Sequence, residues 1–302
     1  MSASTPPVPS TPPAPPTPRR SNPWYLVAAV VAVVVVAGVV VVTVLGSPSS
    51  KTTGSVLTYS GARSIADRTV SGFEGGGWNL LFAAGVAPAV GVTVPAGTTT
   101  TLANLSCTYN PVGSQRNVTV PAFTGNRSAG LAPAWEFGYT APLSGTIALV
   151  SVVNGTGNVT GTLTGGECAY AGLLQLDSSG VIDSSRAAAI VAPYARTFLA
   201  EYPNASTIYL LAPAVFLGGH GLTFDWTILY TTCSPTSGTL GTGSVFNATV
   251  NALNGTVVGT PHAITGVSCA SGFSAAAPTA GIHGALPTSS APAARERPGN
   301  GV

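Results

Sequence analysis

Twice in this chain a tryptophan stands beside a carboxylate, as Trp135-Glu136 in AWEFGY and as Asp225-Trp226 in FDWT. An indole can stack on the apolar face of a sugar ring while a neighbouring carboxylate accepts from its hydroxyls. Two carboxylates set across a cleft would go further and hydrolyse a glycosidic bond. The other acidic residues open to such a pair are Asp67, Glu74, Glu167, Asp177, Asp183 and Glu201. His220, in GGHGLTFDW, lies five positions before Asp225, and His262 follows later. Together these suggest a His/His/Asp metal or acid–base site, though a histidine flanked by glycine is more simply a surface turn. No nucleophile elbow, phosphate loop, zinc-protease helix or calcium loop occurs. Trp135, Glu136, His220, Asp225 and Trp226 are therefore binding candidates only. Core aromatics at strand positions are the preferred account of the tryptophans, with no catalytic residue, metal or cofactor assigned.

The four cysteines are Cys107, Cys168, Cys233 and Cys269. An even count in an exported segment reads as disulfides, and their order favours Cys107–Cys168 with Cys233–Cys269. A tetrathiolate zinc site lacks the close cysteine pairs that such sites use. The acceptor pattern Asn-x-Ser/Thr occurs at Asn104, Asn117, Asn126, Asn154, Asn158, Asn204, Asn247 and Asn254, eight of the eleven asparagines between residues 52 and 272. That enrichment points to N-glycosylation outside the cell. The plainer alternative is a strand-and-turn composition in which Asn-Gly-Thr is a good turn.

These residues are carried by a sequence that repeats itself. VVNGTGNVTGTLTGGECAY (152–170) is echoed by ALNGTVVGTPHAITGVSCAS (252–271). Upstream, ARSIADRTVSGF (62–73) after Ser60-Gly61 and SRAAAIVAPYARTFLAEY (185–202) after Asp183-Ser184 read as capped helices. Pro193 is expected to kink or end the second. Arg68 and Arg196 are 128 positions apart, as are Leu81 and Tyr209; Cys107 and Cys233 are 126 apart, Asn154 and Asn254 100, Cys168 and Cys269 101. One insertion of roughly 25 residues in the first copy, around PVGSQRNVTVPAFTGNRSAGLAPAWEFGYTAP, reconciles these offsets. The expectation is a mainly-β (α+β) ectodomain of two duplicated units, 57–172 and 173–272, each one helix followed by several short strands.

Ahead of the ectodomain, residues 24–45 (WYLVAAVVAVVVVAGVVVVTVL) carry no charge. At about 1.5 Å per helical residue they span the ~30 Å hydrocarbon core, where valine-rich sequence has no alternative to helix. Arg19 and Arg20 precede the span and Lys51 follows it, which places the N-terminus in the cytoplasm and the rest outside. A cleaved leader, a twin-arginine signal and a pilin-like helix are weaker readings. The expected organisation is a Pro-rich disordered tail (1–22), a single transmembrane helix (23–46), a linker (47–56), the two units, and a disordered end (273–302).

Only 7 % of residues are charged and the net charge is +2, so nucleic acid has no electrostatic footing here. The functional expectation is a membrane-anchored, disulfide-stapled, N-glycosylated cell-surface protein with a structural or binding role. Its partners would be the bilayer and an envelope glycan or surface protein. The alternatives are an extracytoplasmic glycan-active hydrolase and, behind it, a filament subunit.

Overall fold

The computed structural model describes residues 55–73, 76–94, 108–113, 118–141, 144–165, 168, 176–214, 223–233 and 241–269. The expected transmembrane helix, both tails, Cys107, His220, Asn104 and Asn117 lie outside these residues. No helix among the described residues is long and apolar enough to cross a membrane.

Mainly-β architecture is what forms. Two helices, α1 (Tyr59–Ser71) and α2 (Ser184–Glu201), accompany eleven strands: β1 (Asn79–Ala87), β2 (Val92–Val94), β3 (Thr108–Pro111), β4 (Val118–Val120), β5 (Ala134–Thr140), β6 (Ile147–Val153), β7 (Thr156–Thr164), β8 (Ser206–Pro213), β9 (Phe224–Thr231), β10 (Gly241–Asn251) and β11 (Val257–Cys269). Nine of them build one antiparallel sheet in the order β11-β10-β9-β8-β1-β5-β6-β7-β3, while β2 and β4 pair separately. The order runs symmetrically outward from β1–β8. Each half is a helix and then a four-strand meander, α1-β1-β5-β6-β7 and α2-β8-β9-β10-β11, and the halves join through antiparallel pairs such as Gly85↔Tyr209.

Sequence explains why these segments take these places. Every residue of β8 and of β9 is buried, as central strands covered on both faces must be. Asn154 and Gly155 both have positive φ, 52° and 78°, the conformation that a two-residue hairpin turn matched to sheet twist requires. In α1 the stripe Ala62, Ala66, Val70 recurs at helical spacing and is buried, and in α2 Ala187, Ala188, Val191, Ala195 and Phe198 do the same. Alanine on these stripes leaves room for large rings rising from the sheet. Tyr59, Trp135, Phe137, Tyr209 and Trp226 fill that layer, and Tyr59 meets Trp226 edge-to-face at 5.3 Å. The opposite sheet face carries a second apolar layer of Leu81, Phe82, Leu149, Leu163, Ile208, Leu210 and Leu229.

Two helix boundaries differ from expectation. Helix α1 starts at Tyr59 rather than after Ser60, because Thr58 is the cap and its hydroxyl accepts from Gly61 N. Pro193 does not end α2, which continues through Glu201; the proline sits on the exposed side. Asp183 caps α2 by position, but its carboxylate serves the other helix. Ser60 N and Ser60 Oγ both donate to Asp183 Oδ1 at 2.8 Å, and Ser185 Oγ donates to Oδ2 at 2.8 Å. Beside them Tyr59 N donates to Ser184 Oγ at 2.8 Å, and Ser184 Oγ donates to Gly130 O at 2.6 Å. The two helix N-termini thus meet around one carboxylate, which suits the positive end of each macrodipole.

The two halves differ most in one connection. Residues 88–133 separate β1 from β5 and hold β2, β3 and β4, whereas only residues 214–223 separate β8 from β9. Cys107 therefore falls in a connection whose counterpart is short, while Cys233 follows β9. One product of the longer connection is β3, which pairs with β7 and covers that edge of the sheet. At the other edge β11 ends the sheet, blunted by Pro261 and by register shifts in its pairing with β10, with Gly259 and Gly266 at positive φ.

Candidate functional site

Strand alternation separates the residues that adjacency had grouped. On β5, Trp135 points into the helix-side layer and is 1 % exposed, while Glu136 points to the opposite face; on β9, Trp226 and Asp225 divide in the same way. Neither indole is open for stacking. Each instead donates Nε1–H to a backbone carbonyl at 2.9 Å, Trp135 to Leu57 O and Trp226 to Ile182 O. The sugar-platform expectation for these two rings is thereby corrected: they are core. Trp78, the remaining described tryptophan, packs on Phe73 with ring centroids 5.9 Å apart.

The two carboxylates share a face without converging. Glu136 pairs with Ala84 on β1 and with Ser151 on β6, and Asp225 pairs with Ala212 on β8 and Asn251 on β10. Three strand spacings of about 4.8 Å, and an offset of two residues because Glu136 lies in the row of Thr227, put their backbones about 16 Å apart, beyond the 5–9.5 Å over which paired glycosidase carboxyls act. Asp225 is buried and accepts from Asn251 Nδ2 at 3.3 Å. Burial raises its affinity for a proton, and the Asn251 bond works against that rise. Glu136 retains some solvent contact, yet protein atoms surround it densely and that desolvation pushes its carboxyl up to about 7.

Another titratable cluster, absent from the sequence expectations, lies under α1. Arg63 donates through Nη1 to Tyr59 Oη (2.9 Å) and Ser178 O (3.1 Å) and through Nη2 to Ser178 Oγ (2.7 Å). Its Nε lies 3.4 Å from Asp67 Oδ2, and Tyr139 Oη donates to Asp67 Oδ1 at 2.6 Å. Desolvation raises both phenols, Tyr59 to about 12. Every member is satisfied by another, so the cluster ties α1 to β5 and to the segment entering α2. Its sequence signal was the Arg63/Asp67 spacing of four on one helix face. No group of three metal-ligating side chains occurs among the described residues.

Cys233 and Cys269 form a disulfide that joins the residue following β9 to the end of β11 across the intervening β10. Cys168 is also disulfide-bonded and is buried against the second apolar layer. Of the six described sequon asparagines, Asn126, Asn154, Asn158, Asn204 and Asn254 are exposed. Asn247 differs: it lies inside β10 between Leu229 and His262, with its Oδ1 buried and unpartnered. No protein-family model, curated protein or solved structure matches this chain.

Proposed function

We propose that the protein is a membrane-anchored, N-glycosylated cell-surface protein with a structural or binding role and no catalytic site of its own. The observation that carries this reading is the placement of the sequons. Five of the six described acceptor asparagines stand on exposed turns and strand surfaces, and Cys233 and Cys269 form a bond that an oxidising compartment sustains. The uncharged run 24–45 supplies the anchor, with Arg19 and Arg20 holding the N-terminus inside. Partners are then an envelope glycan or another surface protein, met through a surface whose polarity comes from hydroxyls, amides and glycans.

The ectodomain in this reading arose by duplication. Its support is the mirrored strand order, with a helix and a four-strand meander on each side, together with the echoed Asn-Gly-Thr turns at 154 and 254. Protease treatment of intact cells tests the topology. Loss of fragments from 55–269, with the 1–22 tail protected, is expected. Protection of the 55–269 region in intact cells, or digestion of the 1–22 tail there, would overturn it.

A further inference from the structure

On the sheet face away from the helices, three polar side chains stand in one row. Asn158 on β7 pairs with Ser151 on β6, and Ser151 pairs with Glu136 on β5. Their chain neighbours fix the face they share. A Cβ on Gly157 would meet Ile65 and Thr69 of α1, so Asn158, next along β7, stands on the opposite face. Val150 and Val152 belong to the helix-side layer, as do Trp135 and Phe137, which sends Ser151 and Glu136 to that same opposite face.

Two borders flank the row. On one side Val92 of β2 and Val120 of β4 pack on Ala134 and Val153, the next pair along β5 and β6 on this face. On the other side the Tyr109 ring covers Gly161, which pairs with Leu149, and its Oη donates to Thr160 O at 2.8 Å. Between these borders Glu136 and Ser151 are half-buried, and neither side chain has a hydrogen-bond or ion-pair partner among the described residues. The desolvation that raises the Glu136 carboxyl makes an unpaired acceptor costly there, so a donor lying in the row would be stabilising. Farther along the same row Thr227 and Thr249 serve one another, their hydroxyls 3.4 Å apart, and the row ends on Val258 instead of an asparagine.

Asn158 opens the sequon Asn158-Val159-Thr160. Among the described residues it is the one exposed acceptor within a strand, whereas Asn126, Asn154, Asn204 and Asn254 stand on loops and turns. A glycan on Asn158 therefore starts from the sheet face itself. Two strand spacings of about 4.8 Å carry Asn158 to Glu136, roughly 10 Å, which the first two sugars of a glycan span. Sugar hydroxyls donate and accept, so they suit a serine hydroxyl and a carboxyl in either protonation state. Resting on the glycosylated reading above, we infer that the first sugars of an N-glycan on Asn158 lie along this row and hydrogen-bond Ser151 and Glu136. The glycan then covers part of the sheet instead of extending freely into solvent.

Timed endoglycosidase digestion of the folded, full-length protein, made in an N-glycosylating host and kept in detergent, tests this. Peptide mass spectrometry follows the glycan left at each site, and Asn154 on the neighbouring hairpin turn is the internal control. Release at Asn158 is expected to be about tenfold slower than at Asn154, the worth of one or two hydrogen bonds. Ser151→Ala and Glu136→Ala should each speed it several-fold, and together bring it to within about twofold of Asn154. Ser151→Ala removes only one half-buried hydroxyl, so it keeps the test open if Glu136→Ala unfolds the sheet. Equal release at the two sites in the unaltered protein would overturn the inference. So would slow release at Asn158 that the variants leave unchanged, the result expected of crowding by the strand alone, and so would a bare Asn158 beside an occupied Asn154. Bare asparagines at every site would overturn it together with the glycosylated reading.

Discussion

Trp135 and Trp226 stand edge-to-face with ring centroids 6.4 Å apart, and each indole holds the residue just ahead of a helix cap. Trp135 grips Leu57, which precedes the cap Thr58, and Trp226 grips Ile182, which precedes the cap Asp183. One pair of rings therefore fixes where both helices start and sets them against the shared centre of the sheet.

The two indole bonds are not equivalent. Leu57 O also accepts from Ala132 N, so it keeps a partner when Trp135 loses its N–H. Ile182 O has no second backbone donor among the described residues, so its loss leaves a buried carbonyl bare. Trp226→Phe should therefore cost about 1 kcal/mol more than Trp135→Phe, beyond the volume term common to both. Urea unfolding of the two variants measures the difference.

Gly130 has φ of 71°, and a Cβ there would lie 2.3 Å from Ser185 N and 2.4 Å from Ser184 O, backbone atoms of the α2 start. Gly130→Ala should cost more than about 3 kcal/mol, since the joint between loop and helix must open. Gly165 has φ of 74° with nothing near its missing Cβ, so Gly165→Ala should cost only the backbone strain of about 1–2 kcal/mol. Thermal unfolding of both variants separates the clash from the conformational penalty.

Glu136 predicts stability that falls as pH rises. Its folded carboxyl is raised from the ordinary 4.5 to about 7, so the folded state binds the proton more tightly than the unfolded chain does. The resulting stabilisation is complete below about pH 4.5 and is lost as pH passes through 7. It amounts to no more than about 3 kcal/mol, and less for the solvent contact Glu136 keeps. Asp183 acts oppositely: burial works against its ionisation, but the bonds from Ser60, Ser185 and Thr58 outweigh it and hold the carboxyl low, so its contribution disappears in acid. Glu136→Gln should flatten the decline in unfolding free energy between pH 5 and 8 and leave the acid limb unchanged.

The Cys233–Cys269 bridge closes a separation of 36 residues, for which chain entropy gives about 4 kcal/mol. Cys233→Ser/Cys269→Ser should lose most of that in denaturant unfolding and free β11 from the end of β9 first, visible as faster amide exchange in residues 263–269.

Much of this fold was legible because it rests on local patterning. The cap residues ahead of each helix placed both helices to within a few residues, and the Asn-Gly turns placed the outer hairpin of each half. What stayed hidden depends on long-range pairing. Cys107 and Cys233 looked equivalent at a spacing of 126, yet one lies in the β1–β5 connection and the other follows β9. Leu81 and Tyr209 also matched by spacing but face opposite layers, because the pairing of β1 with β5 shifts register between Leu80 and Phe82. Trp135 and Glu136 looked like one site, and the period of two along β5 sends them to opposite faces.

Non-reducing peptide mapping by mass spectrometry, on protein taken from native membranes, tests the central claim most directly. A surface-exposed, oxidised ectodomain predicts Cys233–Cys269 and Cys107–Cys168 peptides, glycans on several of Asn126, Asn154, Asn158, Asn204 and Asn254, and an intact 1–22 tail. Free thiols with bare asparagines at all of these positions would contradict it and place the sheet on the cytoplasmic side.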